Sequence, residues 1–592
     1  MAFRRSAVKD EVLEPVPEAR RQLHARSTGL AQPGEKLGEL LVRKERLTHT
    51  QLNEALLQQS ASGKRIGALL VELGALNEYD LAWALAEQFS LELVDLGRET
   101  PEPEAVAVLS ESIARTESAI PLRLDGDTLT VVVSDVTPEI IERLQAATRR
   151  NIMLAVAPDS DVKRAIDTSY KALAGVDQHI RAFEATAAET IRRIGPVVNN
   201  DALTGDAPVV QVVNLIITQG LRDRASDIHI EPQDGRIRVR FRIDGALHDI
   251  LALPDEIGPA LVSRIKIMAG MNIVERRRPQ DGQIATEIDG RALDIRVSST
   301  ATIRGEKVVM RLLDKSRPLF KAHDLGMPTD THELFSAMVQ SPYGMVVCAG
   351  PTGSGKTTTL YATMAEINSS ERNIMTIEDP VEYVFPSINQ IQINEQAGLT
   401  FADGLRSILR QDPDVILVGE IRDVETARIA VQSALTGHFV LSSIHATDSV
   451  LALHRFLDMG IESFLIASSV RAVVGQRLVR RICTSCKEEY TPTDDELTFY
   501  EELSEGRTKK RFFHGAGCNF CANTGYRDRI GIYELLRVTP ELKRLVVGWA
   551  TQDELRRMAV SQGMRTLKDE AMALVDGDMT TIDEVVKTIY AA

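Results

Sequence analysis

Cysteine is scarce in this chain, aromatic residues are few, and no apolar stretch is long. Five cysteines in 592 residues exclude a disulfide-stapled scaffold. No run approaches the roughly eighteen consecutive apolar residues of a membrane-crossing helix. Arg4, Arg5 and Lys9 have no apolar core behind them, so no secretory signal is expected. Positive charge is not in excess either: 69 Lys plus Arg face 84 Asp plus Glu, a net charge of −15. An acidic chain argues against a dedicated nucleic-acid coat, and no nucleic-acid partner is expected. Aromatics make up 5%, but hydrophobic residues reach 44% and charged residues 26%. That is globular composition, not collagen, mucin or wholesale disorder. At roughly 150 residues per domain the length suggests about four domains.

Residues 1–30 lack periodicity and read as a flexible tail. An internal repeat follows. At an offset of 29 residues, Gly38, Leu40, Leu41, Val42, Leu47, Leu52, Ala55, Leu56 and Gln59 recur as Gly67, Leu69, Leu70, Val71, Leu76, Leu81, Ala84, Leu85 and Gln88. Apolar spacings of three and four predict helices in both copies. Beyond them, Asp125-Gly126-Asp127 between two apolar runs predicts a hairpin. The N-terminal domain is bounded at 31–165, with a polar, Ala-rich linker over 166–204.

In "GRIRVRFRIDG", Arg236, Arg238, Arg240 and Arg242 alternate with Ile237, Val239, Phe241 and Ile243. A strand's period of two puts the guanidiniums on one face. They either pair across strands with acids such as Asp227 and Glu231, or some of them reach a phosphate. Past Phe320 the pattern becomes alternating apolar strands and helices, an α/β domain with a largely parallel sheet. "GPTGSGKTT", Gly350-Pro351-Thr352-Gly353-Ser354-Gly355-Lys356-Thr357-Thr358, lies between an apolar strand and a helix. Such a loop curls its backbone N–H groups around phosphate, Lys356 reaches the β/γ-phosphates, and Thr357 ligates Mg²⁺. Glu378 and Glu420 end two further apolar strands. Carboxylates at the C-terminal ends of parallel strands point into the ligand crevice, which suits Glu420 to Mg²⁺. His438 and His445 flank another strand. Cys483-x-x-Cys486 and Cys518-x-x-Cys521 offer four thiolates to one structural Zn²⁺. Cys348 stands alone in an apolar strand and reads as core.

Residues 205–592 resemble the secretion ATPases that power type II secretion and type IV pilus assembly. The resemblance is carried by "ASDIHIEP", "RIKIMAG", "ERRRPQDGQI", "GPTGSGKT", "TIEDPVEY", "RQDPDVILVGEIRD" and "TGHFVLSSIHATD". It implies a multidomain α/β chain: a PAS-like α+β domain over 205–320 and a RecA-like P-loop ATPase domain over 321–592, with a tetracysteine zinc module at about 477–535, behind a mainly helical N-terminal domain. It implies ATP hydrolysis, with Glu378 polarising the attacking water, Glu420 near Mg²⁺, and His438 and His445 sensing the γ-phosphate. It also implies a homohexamer in which PAS-like arginines close over the nucleotide, with Arg240, Arg242, Arg264 and Arg277 as candidates. The zinc module is typical of assembly rather than retraction ATPases of this family. Action would be cytoplasmic, at the inner face of the membrane, against an inner-membrane platform protein, with membrane association only through partners. Pilus assembly is the expected role, type II secretion the alternative, and a RecA-like nucleic-acid motor the rival from another class.

The duplicated segment resembles the cyclic di-GMP-binding domain of some of these ATPases. The second copy carries Arg65, Gly67, Leu69, Leu70, Gly74, Leu76, Leu85 and Gln88 of that pattern. The first copy departs from it with Lys36 for Arg and Glu45 for Gly. A lysine is a point charge and cannot stack on guanine as a guanidinium does.

Overall fold

The computed structural model describes residues 36–137, 139–171, 208–314, 322–504 and 507–589, with a few positions between 173 and 185. The tail expected over 1–30 and most of the linker expected over 166–204 lie outside the described residues. The chain divides into two compact units, residues 1–170 and 171–592. Among the described residues, no helix is long and apolar enough to cross a membrane.

In the first unit the repeat becomes two helix pairs: Leu37–Arg43 with His49–Ser62, and Ile66–Glu72 with Glu78–Phe89. The duplication extends to the caps. Thr48 accepts from the Gln51 N–H, and Asn77 from the Asp80 N–H, each closing an otherwise open helix start. It also extends to the packing. A Cβ on Gly38 would lie 2.6 Å from a Leu52 methyl, and one on Gly67 2.7 Å from the matching Leu81 methyl. At both positions the absence of a Cβ lets the paired helices close without displacing that leucine. The departure at Glu45 is conformational. Gly74 has φ +68° and Glu45 has φ +58°, so the first copy holds a side chain in the left-handed region at a cost of about 1–2 kcal/mol. Four strands follow: β1 (Glu92–Leu93), β2 (Ala119–Asp125), β3 (Thr128–Val133) and β4 (Asn151–Val156), in sheet order β1-β4-β3-β2. The expected hairpin is β2–β3, with Asp125 opposite Thr128. Gly126 supplies the positive φ, +61°, that a two-residue turn needs.

The second unit opens with the helix Pro208–Arg222 against an antiparallel sheet of β5 (Asp227–Pro232), β6 (Arg236–Ile243), β7 (Ala246–Pro254), β8 (Gln280–Ile288), β9 (Arg291–Thr302) and β10 (Gly305–Asp314). Their order is β7-β6-β5-β10-β9-β8. Ile237, Val239 and Phe241 of β6 are buried against Val212, Val213, Ile216 and Ile217 of the helix. The intervening arginines share the opposite face. There Arg238, Arg240 and Lys307 converge on Glu231 at 3.0, 2.8 and 2.9 Å. Arg242 and Arg311 share Asp227 at 3.8 and 3.0 Å. Cross-strand pairing with both expected acids is thus present, with five cations gathered on these two carboxylates.

Burial pushes the Glu231 carboxyl up. Hydrogen bonds from Arg240, Lys307 and Arg238 outweigh this and hold it at about 2. Its folded pKa lies below its ordinary value of 4.5, so its contribution to stability is present above pH 4.5 and fades as pH falls toward 2. Glu231→Gln should lower the melting temperature at neutral pH and flatten the acid-side slope of melting temperature against pH. An unchanged slope would remove Glu231 from that role.

The remaining strands are β11 (Gly344–Ala349), β12 (Ile374–Glu378), β13 (Asn389–Gln392), β14 (Val415–Val418), β15 (Phe439–Ile444), β16 (Val470–Ile482), β17 (Lys487–Tyr490), β18 (Phe512–Gly515) and β19 (Tyr526–Arg537). Seven of them form one sheet, β13-β12-β14-β15-β11-β16-β19, while β17 and β18 pair separately. All neighbours in the large sheet are parallel except β19, which runs antiparallel to β16. Strands β11, β12, β14 and β15 are buried throughout, as parallel strands covered on both faces must be. Helices Phe401–Ile408, Val424–Leu435 and Ser449–Asp458 cover one face, and Thr329–Val339 and Lys356–Ile367 the other. Cys348 is fully buried in β11.

Candidate functional site

The parallel strands end together at their C-terminal edge, and the phosphate loop leaves β11 there. A Cβ on Gly350 would lie 2.4 Å from the Ser354 hydroxyl and 2.6 Å from the Gln476 carbonyl, so only glycine fits. Gly353 and Gly355 turn the chain with φ of +79° and +87°. The helix Lys356–Ile367 starts directly after, aiming its free N–H groups and its dipole into the loop. Lys356 is 9% exposed, and its ammonium donates to the Gly350 and Pro351 carbonyls at 2.9 Å each. Burial lowers its pKa, opposed by the charges of Cys348 and Glu420. The Ser354 hydroxyl is buried with no hydrogen-bond partner among the described residues. Thr352, Gly353, Thr357 and Thr358 are open to solvent. An orphaned hydroxyl inside a curl of N–H donors fits an oxyanion.

Glu420 follows β14. Its two oxygens meet Arg422 at 2.5 Å and His445 Nε2 at 3.4 Å. With Thr357 at the helix start, this carboxylate supplies the hard oxygen donors that Mg²⁺ takes. Glu378 ends β12 beside it. A Cβ on Gly419 would sit 3.3 Å from the Glu378 Cα. Lys356, Glu378, Glu420 and His445 are therefore brought to one end of one sheet.

His438 is not brought there. It precedes β15, and its carbonyl accepts from the N–H of Gly344 at the start of β11. Its Nδ1 lies 3.1 Å from the Ser433 carbonyl. A strand rises roughly 3.3 Å per residue, so β15 separates the two histidines by about 20 Å. Arg240 and Arg242 are engaged within their own sheet. Arg264, on the helix Gly258–Met268, has its Nε buried with no hydrogen-bond partner among the described residues. Arg277 projects into solvent, its side chain 93% exposed.

The four cysteines converge. Sγ···Sγ separations are 3.7 Å for Cys483–Cys518, 3.8 Å for Cys486–Cys521 and 3.7 Å for Cys518–Cys521. A tetrahedron with Zn–S bonds of about 2.3 Å has edges of about 3.8 Å. The set therefore fits zinc. The Cys521 thiolate is favoured first by the hydrogen bond from Cys483, against its burial, and then by the Cys518 and Gly525 N–H groups.

Three participants were not legible in the sequence. Gln476 of β16 supports the loop and accepts from Thr359 at 2.9 Å. Tyr361 donates to Glu378, and Gln390 donates to it at 3.1 Å. Each contact joins elements that are neighbours only after folding. Arg422 had a signal, since it stands two residues after Glu420 in "GEIRD".

In the first unit a cavity of about 800 Å³ is lined by Gln59, Arg65, Gln88, Asp135 and Arg143 among others. Arg65 reaches Asp135 at 2.6 Å. Lys36, its counterpart in the first copy, precedes the first helix and is exposed.

A family model described as type II/IV secretion system protein matches residues 202–587. A model of the MshEN domain matches residues 89–175, starting just after the second repeat. The type IV pilus assembly ATPase PilB of Myxococcus xanthus is 39% identical over 555 residues, covering 93% of this chain and 98% of that protein. Type II secretion system protein E of Xanthomonas campestris is 39% identical over 561 residues, with the same coverage. A structure of MshE with cdg is 34% identical, covering 23% of this chain and 99% of that one, with a TM-score of 0.22.

Proposed function

We propose that this chain, which belongs to the type II/IV secretion system protein family, is a Mg²⁺-dependent, homohexameric ATPase motor of type IV pilus assembly. The observation that carries the motor reading is the gathering of Lys356, Glu378, Glu420 and His445 around one phosphate loop. The loop N–H groups and Lys356 bind the β- and γ-phosphates. Thr357 and Glu420 hold Mg²⁺, which supplies positive charge where the phosphoryl group is transferred. Glu378 orients the water, and His445 answers to the phosphate through its pair with Glu420. In a neighbouring subunit, Arg240 or Arg242 from the cation-bearing face of the PAS-like sheet, or Arg264 from the helix on its other face, adds charge. Cys483, Cys486, Cys518 and Cys521 hold one structural Zn²⁺. The motor works in the cytoplasm on an inner-membrane platform protein, extracting pilin subunits and adding them to the filament.

The long N-terminal region with its duplicated helical motif supports pilus assembly. Type II secretion stands as the second reading, because the Xanthomonas relative matches as extensively as the Myxococcus one. Lys356→Ala placed in the native host decides between them. Loss of surface pili with secretion intact is the expected result. Loss of secreted proteins with pili intact would move the chain to type II secretion.

Cyclic di-GMP is the proposed regulator of the first unit, through Arg65 and the cavity beside it. Titrated into the full chain it should bind at micromolar concentration, and Arg65→Ala should weaken binding by about tenfold, as loss of a charge-assisted contact does. No binding heat at high micromolar ligand would refute this.

A further inference from the structure

Glu378 is 3% exposed, and both its oxygens are occupied. One accepts from the Tyr361 hydroxyl. The other accepts from Thr376 Oγ1 at 2.6 Å and Gln390 Nε2 at 3.1 Å. Three donors thus fill three of the carboxylate's roughly four lone-pair sites, which leaves little of it to orient a water. Tyr361 belongs to the helix of the phosphate loop, is 2% exposed, and accepts the Glu382 backbone N–H at 3.1 Å. Glu382 in turn is gripped from the antiparallel sheet. Arg296 of β9 approaches its carboxylate at 3.1 and 3.0 Å and donates to the Val381 carbonyl at 3.2 Å. An unbroken series of polar contacts thus runs from Arg296 through Glu382 and Tyr361 to Glu378. The segment it crosses has room to move: Pro380 and Val381 border a cavity of about 560 Å³, with Gln283, Asp294 and Arg311 on its other side.

We propose that Arg296 and Tyr361 are positioning residues that form a brake on Glu378, releasing it when the antiparallel sheet pulls away from the 380–382 segment. This rests on the reading of Glu378 as the water-orienting carboxylate. With Arg296 engaged, the 380–382 segment keeps Tyr361 donating to Glu378, and turnover is low. When the sheet shifts in the working cycle, the segment moves, Tyr361 loses its N–H partner, and Glu378 turns toward the phosphate loop.

The test is ATP hydrolysis by the full chain, with kcat and KM read separately. Tyr361→Phe should raise kcat about threefold with KM within about twofold, since it changes the reacting state rather than binding. Arg296→Gln should raise kcat similarly. The double variant should exceed neither single by much, because both act through one series of contacts. Arg296→Lys, which keeps the charge but not the forked geometry, should fall between. If Tyr361→Phe does not fold, the two Arg296 variants carry the test from outside the core. Unchanged or lowered kcat in variants that fold and bind nucleotide, or effects that simply multiply, would overturn the brake. Glu378→Gln separates the two ideas. If it is inactive while Tyr361→Phe and Arg296→Gln behave as wild type, the brake alone fails. If it retains near-native turnover, the reading of Glu378 fails and takes the brake with it.

Discussion

Replacing Lys356 by alanine is expected to cut ATP turnover by on the order of a hundred- to a thousandfold, the loss seen when one preorganised charge-stabilising group is removed. The geometry favours the upper end. The ammonium is buried, and two loop carbonyls already hold it inside the curl. It needs little reorganisation when phosphate arrives, and Coulomb attraction in such a site is only weakly screened by water. Burial lowers its pKa, and the two carbonyl acceptors oppose this by favouring the protonated form. The fold should survive. What is lost is one donor to the Gly350 and Pro351 carbonyls, about 1–3 kcal/mol, in a loop partly open to water. Phosphate release and thermal melting, measured together, check both halves. Near-native turnover would remove Lys356 from the chemistry. A collapse of melting temperature would make it structural.

The two histidines illustrate what spacing conveys and what it hides. They flank one strand, and proximity in sequence invites a common role. A strand, however, is a spacer of fixed rise. His445 emerges at the edge shared with Glu420, while His438 is left at the other edge, bound to the end of the preceding helix. The arginine strand shows the converse. Alternation alone gave all four guanidiniums one face, and the pairing of Asp227 with Arg242 and Glu231 with Arg238 supplied the acids opposite. That Glu231 gathers three cations depends also on Lys307 of β10, a strand remote in sequence. The repeat was readable down to its packing, because a 29-residue offset carries caps, glycines and contacting leucines together. Tyr361 and Gln476 were unreadable for the opposite reason. Each looks like an ordinary helix or strand residue, and its partner is chosen by the register of elements far away in the chain.

Removing the metal from the tetracysteine module is expected to have the second large effect, and one that reaches the phosphate loop. The far end of the module is held without metal, since Tyr500, Leu503 and Phe512 pack with Leu567, Ala571 and Val575, but the cysteine end rests on a small sheet. Strands β17 and β18 form a separate two-stranded sheet, and two strands alone are marginal without support. Its closure brings Gly515 and Gly525 so near that a Cβ on Gly515 would lie 2.0 Å from the Gly525 carbonyl oxygen. Zinc in a four-thiolate site contributes an apparent 10–16 kcal/mol, about as much as a domain's whole stability. Cys521→Ser or a strong chelator should therefore release one Zn²⁺ per chain and open the 483–488 and 515–525 segments to protease. The damage should also travel. Cys483 directly follows β16, and the same strand carries Gln476, which lies against Gly350 and Gly355 and is bonded to Thr359. Loosening the end of β16 slackens the support of the loop, so turnover should fall several-fold while the rest of the sheet, whose core lies on β11, β14 and β15, stays folded. Metal content, limited proteolysis and phosphate release on one preparation test this. Metal-free protein with native protease resistance would refute the zinc site. Zinc loss with full turnover would keep the site and break its link to the loop.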